Sequence, residues 1–167
     1  MNIKKVSVDK EGTGMGWGAV YAQYLESMDQ ISGQGNGLSV SRQLYKGDEA
    51  LNESAPLKVG DKITVRLTVK ADRDMDFVQI KDDRAACMEP LQAVSGFRWS
   101  NGLGYYQATK DASTQFFIDQ MRKGTYVIEY QVYVNRTGEY QAGIATVQSA
   151  YAPEFGGHTG GYRVMVE

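Results

Sequence analysis

The chain is short of the residues that most often carry chemistry: it has one cysteine, one histidine and three prolines in 167 residues. Cys87 alone closes no internal disulfide, so the fold must stand on its core, and the count carries no message about compartment. His158 is set among glycines that cannot ligate through side chains, so it offers neither a zinc ligand set nor the partnered histidine of a hydrolase triad. It reads as a loop histidine without a role. No apolar run approaches the ~18 residues of a membrane helix, and the opening Met1-Asn2-Ile3-Lys4-Lys5 lacks the apolar core of a signal peptide. Charge of one sign is lacking too. The 18 basic and 20 acidic residues leave a net charge of −2, with the two signs interspersed. That excludes a nucleic-acid footprint and a polybasic patch for direct membrane insertion. Long Ala/Leu/Glu/Lys helical stripes are also missing.

What is present is tyrosine, glycine and alternation. The 11 tyrosines and 19 glycines lean to β structure. The stretch Gly102–Glu139 organises the chain. Gln115–Ile118 reads as one strand and Thr125–Val134 as the next, with Tyr126, Ile128, Tyr130, Val132 and Val134 on every second residue. A strand with one buried face has that period. Met121–Gly124 and Asn135–Gly138 read as turns, and a third strand begins at Glu139, so the three are expected to form an antiparallel meander. The cleanest strand puts Ile63, Val65, Leu67 and Val69 opposite a polar set, after a turn at Lys58–Asp61. Leu38, Val40 and Leu44 give another, with Arg42 on the buried parity and in need of a partner.

Trp17–Leu25 reads as a strand apolar on both faces, a helix being the rival. Residues Ser95–Gly104 read as a loop carrying Phe97 and Trp99. The run from Tyr140 to Val147 changes parity midway, which points to a bulge near Gly143. A glycine-rich loop over Tyr151–Gly161 leads to a closing strand at Tyr162–Val166. Nine to eleven short strands with regular turn signals describe an all-β, antiparallel sandwich in a single domain, residues 1–167. The start plunges directly into strand-like sequence, as a fragment of a longer protein would.

Candidate chemistry is thin. Asp72-x-Asp74-x-Asp76 begins like a calcium loop, but Phe77 stands where the glycine belongs and Asp83 where the glutamate belongs. The alternative is a solvated turn in which Arg73 pairs with the acids. Asp82 and Asp83 point to opposite sides of a strand, so a carboxylate paired to Arg84 is expected rather than an acid/base couple. Cys87 reads as a plain buried thiol. No metal, cofactor or catalytic group is assigned. The better functional candidates are aromatics in glycine-flanked segments: Tyr105, Tyr106, Tyr151 and Phe155, with Phe97 and Trp99. Exposed, they would mark a partner or sugar surface; folded back, they would cap the ends of the sandwich.

Several stretches resemble the C-terminal macroglobulin-like domain of bacterial alpha-2-macroglobulins: WGAVYAQYLESMDQI, LKVGDKITVRLTVKADRDMDFVQIKDDRAACMEP, the run from GLGYYQATK to QSAYAPEF, and GGYRVMV. They keep family order and cover most of the chain. The resemblance implies a macroglobulin-like, immunoglobulin-like sandwich at the end of a large envelope protein facing the periplasm. Such proteins trap proteases by collapsing around the attacker when a bait region is cut. Many carry a thioester built on a CxEQ motif. Here Cys87-Met88-Glu89-Pro90 shares only Cys and Glu, so any such chemistry belongs to an upstream domain. The resemblance therefore implies a non-catalytic scaffold whose partners are neighbouring domains of its parent and, through the parent, proteases. On that reading Tyr105, Tyr106, Tyr151 and Phe155 contact the neighbouring domain. A stand-alone adhesion or carbohydrate-binding sandwich is the alternative.

Overall fold

The structure is a computed structural model that describes residues 7–20, 25, 27, 30–52 and 55–167. Fourteen strands occur among them, more than the nine to eleven expected, because segments read as loops, among them Gly96–Ser100 and Gly156–His158, also pair, and the run from Tyr140 to Val147 is two strands. In chain order they are β1 Gln34–Asn36, β2 Leu38–Lys46, β3 Glu49–Ala50, β4 Lys62–Ala71, β5 Met75–Asp83, β6 Met88–Pro90 and β7 Gly96–Ser100. The rest are β8 Leu103–Thr109, β9 Ser113–Met121, β10 Gly124–Val134, β11 Gly138–Ala142, β12 Ala145–Ser149, β13 Gly156–His158 and β14 Tyr162–Val166.

All strand pairings between them are antiparallel, and they build the expected sandwich. One layer is β6-β10-β4-β2, with β3 beside β2; the other is β12-β5-β9-β8-β7. The short strands β1 and β13 carry the ladder from β2 to β12, and β11 pairs with β14 as a separate two-stranded sheet. Each layer turns one face inward. Ile63, Val65, Leu67 and Val69 of β4 and Ile128 and Val132 of β10 meet Val78 and Ile80 of β5 and Phe116 and Ile118 of β9 in one buried cluster. Full burial of each of these side chains is worth about 1.5–3 kcal/mol. Cys87 is buried within the same cluster.

The expected meander does not form. β9 pairs with β5 and β8, β10 pairs with β4 and β6, and β11 pairs with β14. Period-two alternation reports that a strand has an inner face, not which strand lies beside it. The segment after Met121 therefore arches from one layer to the other rather than folding a hairpin. A second arch, from β4 to β5 through Asp72–Asp74, lies against it. Asp74 joins the two, accepting hydrogen bonds from the Lys123 backbone N–H at 2.7 Å and from Arg122 Nη1 at 3.2 Å.

The parity change near Gly143 is likewise a change of sheet: β11 ends at Ala142, and β12 starts at Ala145 in the large sheet. A Cβ on Gly143 would overlap the Cβ of Asp83 and lie 3.1 Å from the Asp83 carbonyl oxygen, so only glycine allows this approach. The strand expected at Trp17–Leu25 is absent over Trp17–Val20, whose side chains are exposed; residues 21–24 lie outside the described residues. A strand apolar on both faces needs cover on both, and nothing described covers this one.

Candidate interaction surface

The loop expected at Ser95–Gly104 is a hairpin. Asn101 (φ 50°) and Gly102 (φ 77°) both take left-handed backbone, the two-residue turn that matches strand twist, and Ser100 faces Leu103 across it. The Asn-Gly dipeptide was the available signal. The hairpin puts β7 at the edge of its layer and hands its aromatics alternately to the two faces.

Tyr105 points inward at 5% exposure, edge-on to Phe116 at 5.7 Å between ring centroids. It is therefore a core residue on a strand, not an aromatic at a loop tip, because its neighbour Tyr106 takes the outer parity. Tyr106 faces Phe97 on β7 and Phe117 on β9 in register, and its ring stands edge-on to Phe97 at 5.1 Å. Phe97 is 83% exposed. One step along, Trp99 faces Gly104 and lies over it: a Cβ there would come within 2.6 Å of the indole Cζ3. The open face of that indole leaves Trp99 77% exposed.

Tyr151, 78% exposed, stands edge-on to Phe77 at 5.0 Å. Phe77 has φ 52°, rare for a non-glycine residue, and this backbone turn sits where β5 passes its outward side chain to solvent. Phe155 is half-buried against Gly37, with the Arg73 guanidinium 4.5 Å from its ring centroid. The four aromatics singled out from sequence thus fall in four places, with Tyr105 in the core. Tyr106 belongs to the outer face of the β5-β9-β8-β7 layer, Tyr151 and Phe77 to its margin, and Phe155 caps the opposite turn. Sequence reading missed Phe77 and Phe117, whose outward parity becomes evident only once the strands are in register.

A second constellation lies inside. Arg42 of β2 reaches across the sandwich to Asp82 of β5, whose other oxygen accepts a 2.7 Å hydrogen bond from the Tyr130 hydroxyl. Arg42 also donates to the Gly143 carbonyl at 2.5 Å, and its guanidinium stacks 4.5 Å from the Tyr162 ring centroid. The partner that Arg42 needed is therefore Asp82, 40 residues away. Arg84, expected to pair with a neighbouring acid, instead donates to Thr114 Oγ1 at 2.7 Å and to the Lys110 and Asp111 carbonyls, while Asp83 pairs with Lys81 at 2.9 Å. Strand alternation explains the difference: Asp82 points into the core, Asp83 and Lys81 point away.

Burial pushes the Asp82 carboxyl above the usual carboxylate range, against the pull of Arg42 and of the Tyr130 hydroxyl. Burial pulls the Arg42 guanidinium down, but the charge and hydrogen bond of Asp82 together with the Tyr162 and Tyr130 hydroxyls outweigh it and leave it raised. Burial, with help from Asp82, raises Tyr130 well above its ordinary value, and burial raises Tyr162 to about 12. The cluster ties β2, β5, β10, β14 and the Gly143 crossover together, and its carboxylate is already committed to Arg42 and the Tyr130 hydroxyl. Elsewhere, Asp72 pairs with Arg73 at 2.8 Å in the solvated turn. His158 is half-buried on β13 with Nδ1 3.0 Å from the Thr159 carbonyl.

The chain is thus an antiparallel sandwich with an internally paired polar cluster in its core and an aromatic outer face. The sequence family of the bacterial alpha-2-macroglobulin MG10 domain matches residues 37–154, and the chain belongs to that family. A curated relative, circularly permutated Ras protein 2 of Dictyostelium discoideum, is 27% identical over 166 residues, covering 95% of this chain and 4% of that protein. Salmonella alpha-2-macroglobulin reacted with methylamine superposes with a TM-score of 0.66 at 20% identity, over 81% of this chain and 10% of that one. Escherichia coli alpha-2-macroglobulin activated by porcine elastase gives 0.70 at 16% identity, over 82% and 14%. At these identities the two structures speak to fold, which they share with this chain. The chain spans about a seventh or less of the length of each of these proteins.

Proposed function

We propose that the chain is one β-sandwich domain, residues 1–167, of a much larger alpha-2-macroglobulin-like protease trap, in which it is a non-catalytic scaffold packed against the parent's thioester-type domain. Family membership carries this reading. The small fraction of each alpha-2-macroglobulin that the chain spans supports a role inside a longer polypeptide. The buried polar groups support it further, since their donors and acceptors are spent on holding layers together rather than aimed at a substrate. Proteases are then partners of the parent, not of this domain, and the parent works at the cell envelope, in the periplasm or anchored to a membrane.

Contact with the neighbouring domain runs through Tyr106, Tyr151 and Phe155, with Tyr105 supporting Tyr106 from within. The segment ahead of the family match supplies more contact area: Met15, Trp17 and Val20 are exposed apolar side chains that no described residue covers. The test is made in the full-length parent. Alanine at Tyr106, Tyr151 and Phe155 together is expected to loosen the resting form, seen as faster collapse after elastase cleavage and faster reaction with methylamine. An unchanged resting conformation and an unchanged protease response would falsify the docking role. The continuous polypeptide should also carry a CxEQ motif ahead of this region; its absence removes the thioester-type neighbour.

A further inference from the structure

We propose that the open flank of the sandwich holds a carboxylate-binding pocket, where Arg98, Gln107 and the backbone N–H of Glu129 can bind one monoanion. The pocket is independent of the trap reading. On this flank β7, the edge of one layer, lies across from a stretch of β10 that no strand covers in the other. β10 pairs with β6 only over Val132–Val134. Along the same edge, the Gln131 carbonyl accepts from the Leu91 N–H at 2.9 Å and the Val127 carbonyl from Asn101 Nδ2 at 3.4 Å. Alternate residues of an antiparallel strand point their backbone groups to the same edge. Glu129, between these two, therefore presents its N–H and carbonyl there with no strand beside it. The gap is a pocket of about 300 Å³, lined by Arg98, Gln107, Glu129 and Gln131 among others.

Two side chains of this pocket lack the partners that burial demands. Gln107 stands on the inward parity of β8 at 4% exposure, and its amide has no hydrogen-bond partner among the described residues. A buried amide left unpaired is costly to the fold. Arg98 takes the inward parity of β7, opposite Tyr105 in register. Burial raises the Tyr105 hydroxyl, and the Arg98 charge opposes that rise, which places the guanidinium beneath the sheet. Yet Arg98 makes one hydrogen bond, Nη2 to the Val94 carbonyl at 3.3 Å, and its shielded Nε has none. The acid of the lining, Glu129, is spent on Arg66 Nε at 2.5 Å, on the outward parity of β10. One positive charge is thus left uncompensated, which suits a monoanion and neither a phosphate dianion nor a cation. A guanidinium takes a carboxylate through two parallel N–H groups. The Gln107 amide both donates and accepts, so it fits a ligand with a hydrogen-bond donor near the carboxylate. A free 2-hydroxy acid and a glutamate side chain on a polypeptide share that chemistry.

The test follows the nitrogen-labelled 167-residue chain by NMR at neutral pH and constant ionic strength. Lactate is titrated with neutral lactamide as its contrast, and acetyl-Gly-Gly-Glu-Gly-Gly-amide with its glutamine counterpart. Saturable shifts of the Gln107 side-chain N–H and Arg98 Nε–H signals with an acid, and none with its neutral contrast, are the expected result. Arg98→Gln should weaken that binding at least about tenfold with the far-UV circular dichroism unchanged. Binding of lactate alone assigns the pocket to a free acid, and tighter binding of the glutamate peptide assigns it to an acidic side chain of a partner. Gln107→Leu should also weaken binding while raising the melting temperature, because it removes an amide that folding leaves unpaired. A lowered melting temperature would give that amide a structural role and overturn the proposal. So does the lack of a saturable shift up to about 100 mM acid, an equal response to the neutral contrasts, or binding that survives Arg98→Gln. None of these outcomes bears on the response of the parent to elastase, so the pocket and the docking role fail independently.

Discussion

Arg42→Met and Asp82→Ala should both destabilise the sandwich, but with opposite responses to pH. The two side chains are 5% and 1% exposed, so each mutation leaves its partner inside the core. Removing one member of a buried ion pair costs about 3–5 kcal/mol. Arg42 cannot shed its proton at any accessible pH, so Asp82→Ala strands it throughout. Because the unsubstituted chain itself loses the contribution of its raised carboxyl as pH climbs, the cost of Asp82→Ala should be largest at acid pH and shrink toward neutral pH. Asp82 can neutralise itself. Its folded pKa already lies above the unfolded value of about 3.9 because burial disfavours its charge, and losing Arg42 raises it further. A raised carboxylate holds its proton in the folded chain after the unfolded chain has released it. Its contribution is therefore complete below the unfolded pKa and is lost as pH climbs to the folded one.

The stability of Arg42→Met should accordingly fall by about 1.4 kcal/mol per pH unit through that window, more steeply than that of the unsubstituted chain. Urea titrations at half-unit steps, each analysed as a difference from the parent sequence, cancel the acids Asp61, Asp72 and Asp74, whose partners lower them. Replacing both residues with Met and Leu should return most of the loss, since an apolar pair leaves no orphaned charge. Flat profiles with losses under about 1 kcal/mol for both single variants would mean that water reaches the pair, and the account of the core given above would be wrong.

Four further outcomes follow from single contacts. Tyr130→Phe removes the hydroxyl from Asp82 and should cost about 1.5–3 kcal/mol by urea titration, with part of that loss absent when Arg42 is already Met. Gly143→Ala forces the crossover away from Asp83 and should cost about 1–3 kcal/mol, read as a lower melting temperature with unchanged strand content by infrared spectroscopy. Phe116→Ala, which empties the centre between the layers, should cost about 3–5 kcal/mol in the same titration. Phe97→Ala on the outer face should change stability by no more than about 0.5 kcal/mol, and a larger loss would show that the face is part of the core.

The inner face of the fold was readable because burial writes itself as alternation. Ile63, Val65, Leu67 and Val69 are all inside, and the lone charge on that parity of the next strand, Arg42, did meet an acid. The identity of that acid was not readable from adjacency, since Asp82 lies far along the chain and its orientation depends on which parity of β5 faces inward. Connection was harder still. A glycine-bearing turn between two amphipathic strands serves a hairpin or an arch equally well, and the choice is made by which faces must meet, Phe116 with Tyr130 in this case. At Gly143 the change of parity was visible, yet a bulge and a change of sheet leave the same mark in sequence.

The candidate surface shows the same limit at the scale of two residues. Tyr105-Tyr106 and Phe116-Phe117 are aromatic doublets, and adjacent residues on a strand point to opposite faces. One member of each is core, and the other is displayed: Tyr105 and Phe116 touch inside, while Tyr106 and Phe117 face one another outside. Glycines flanking the first doublet drew it toward a loop reading, although Gly104 serves instead as the floor beneath Trp99 and Gly102 as half of a tight turn. A doublet is thus a poor marker of a loop and a good marker of a strand that is aromatic on both sides. Core packing accounts for the inner ring alone. The outer ring gains a cross-strand contact, Tyr106 standing edge-on to Phe97 at 5.1 Å, and is otherwise left to solvent.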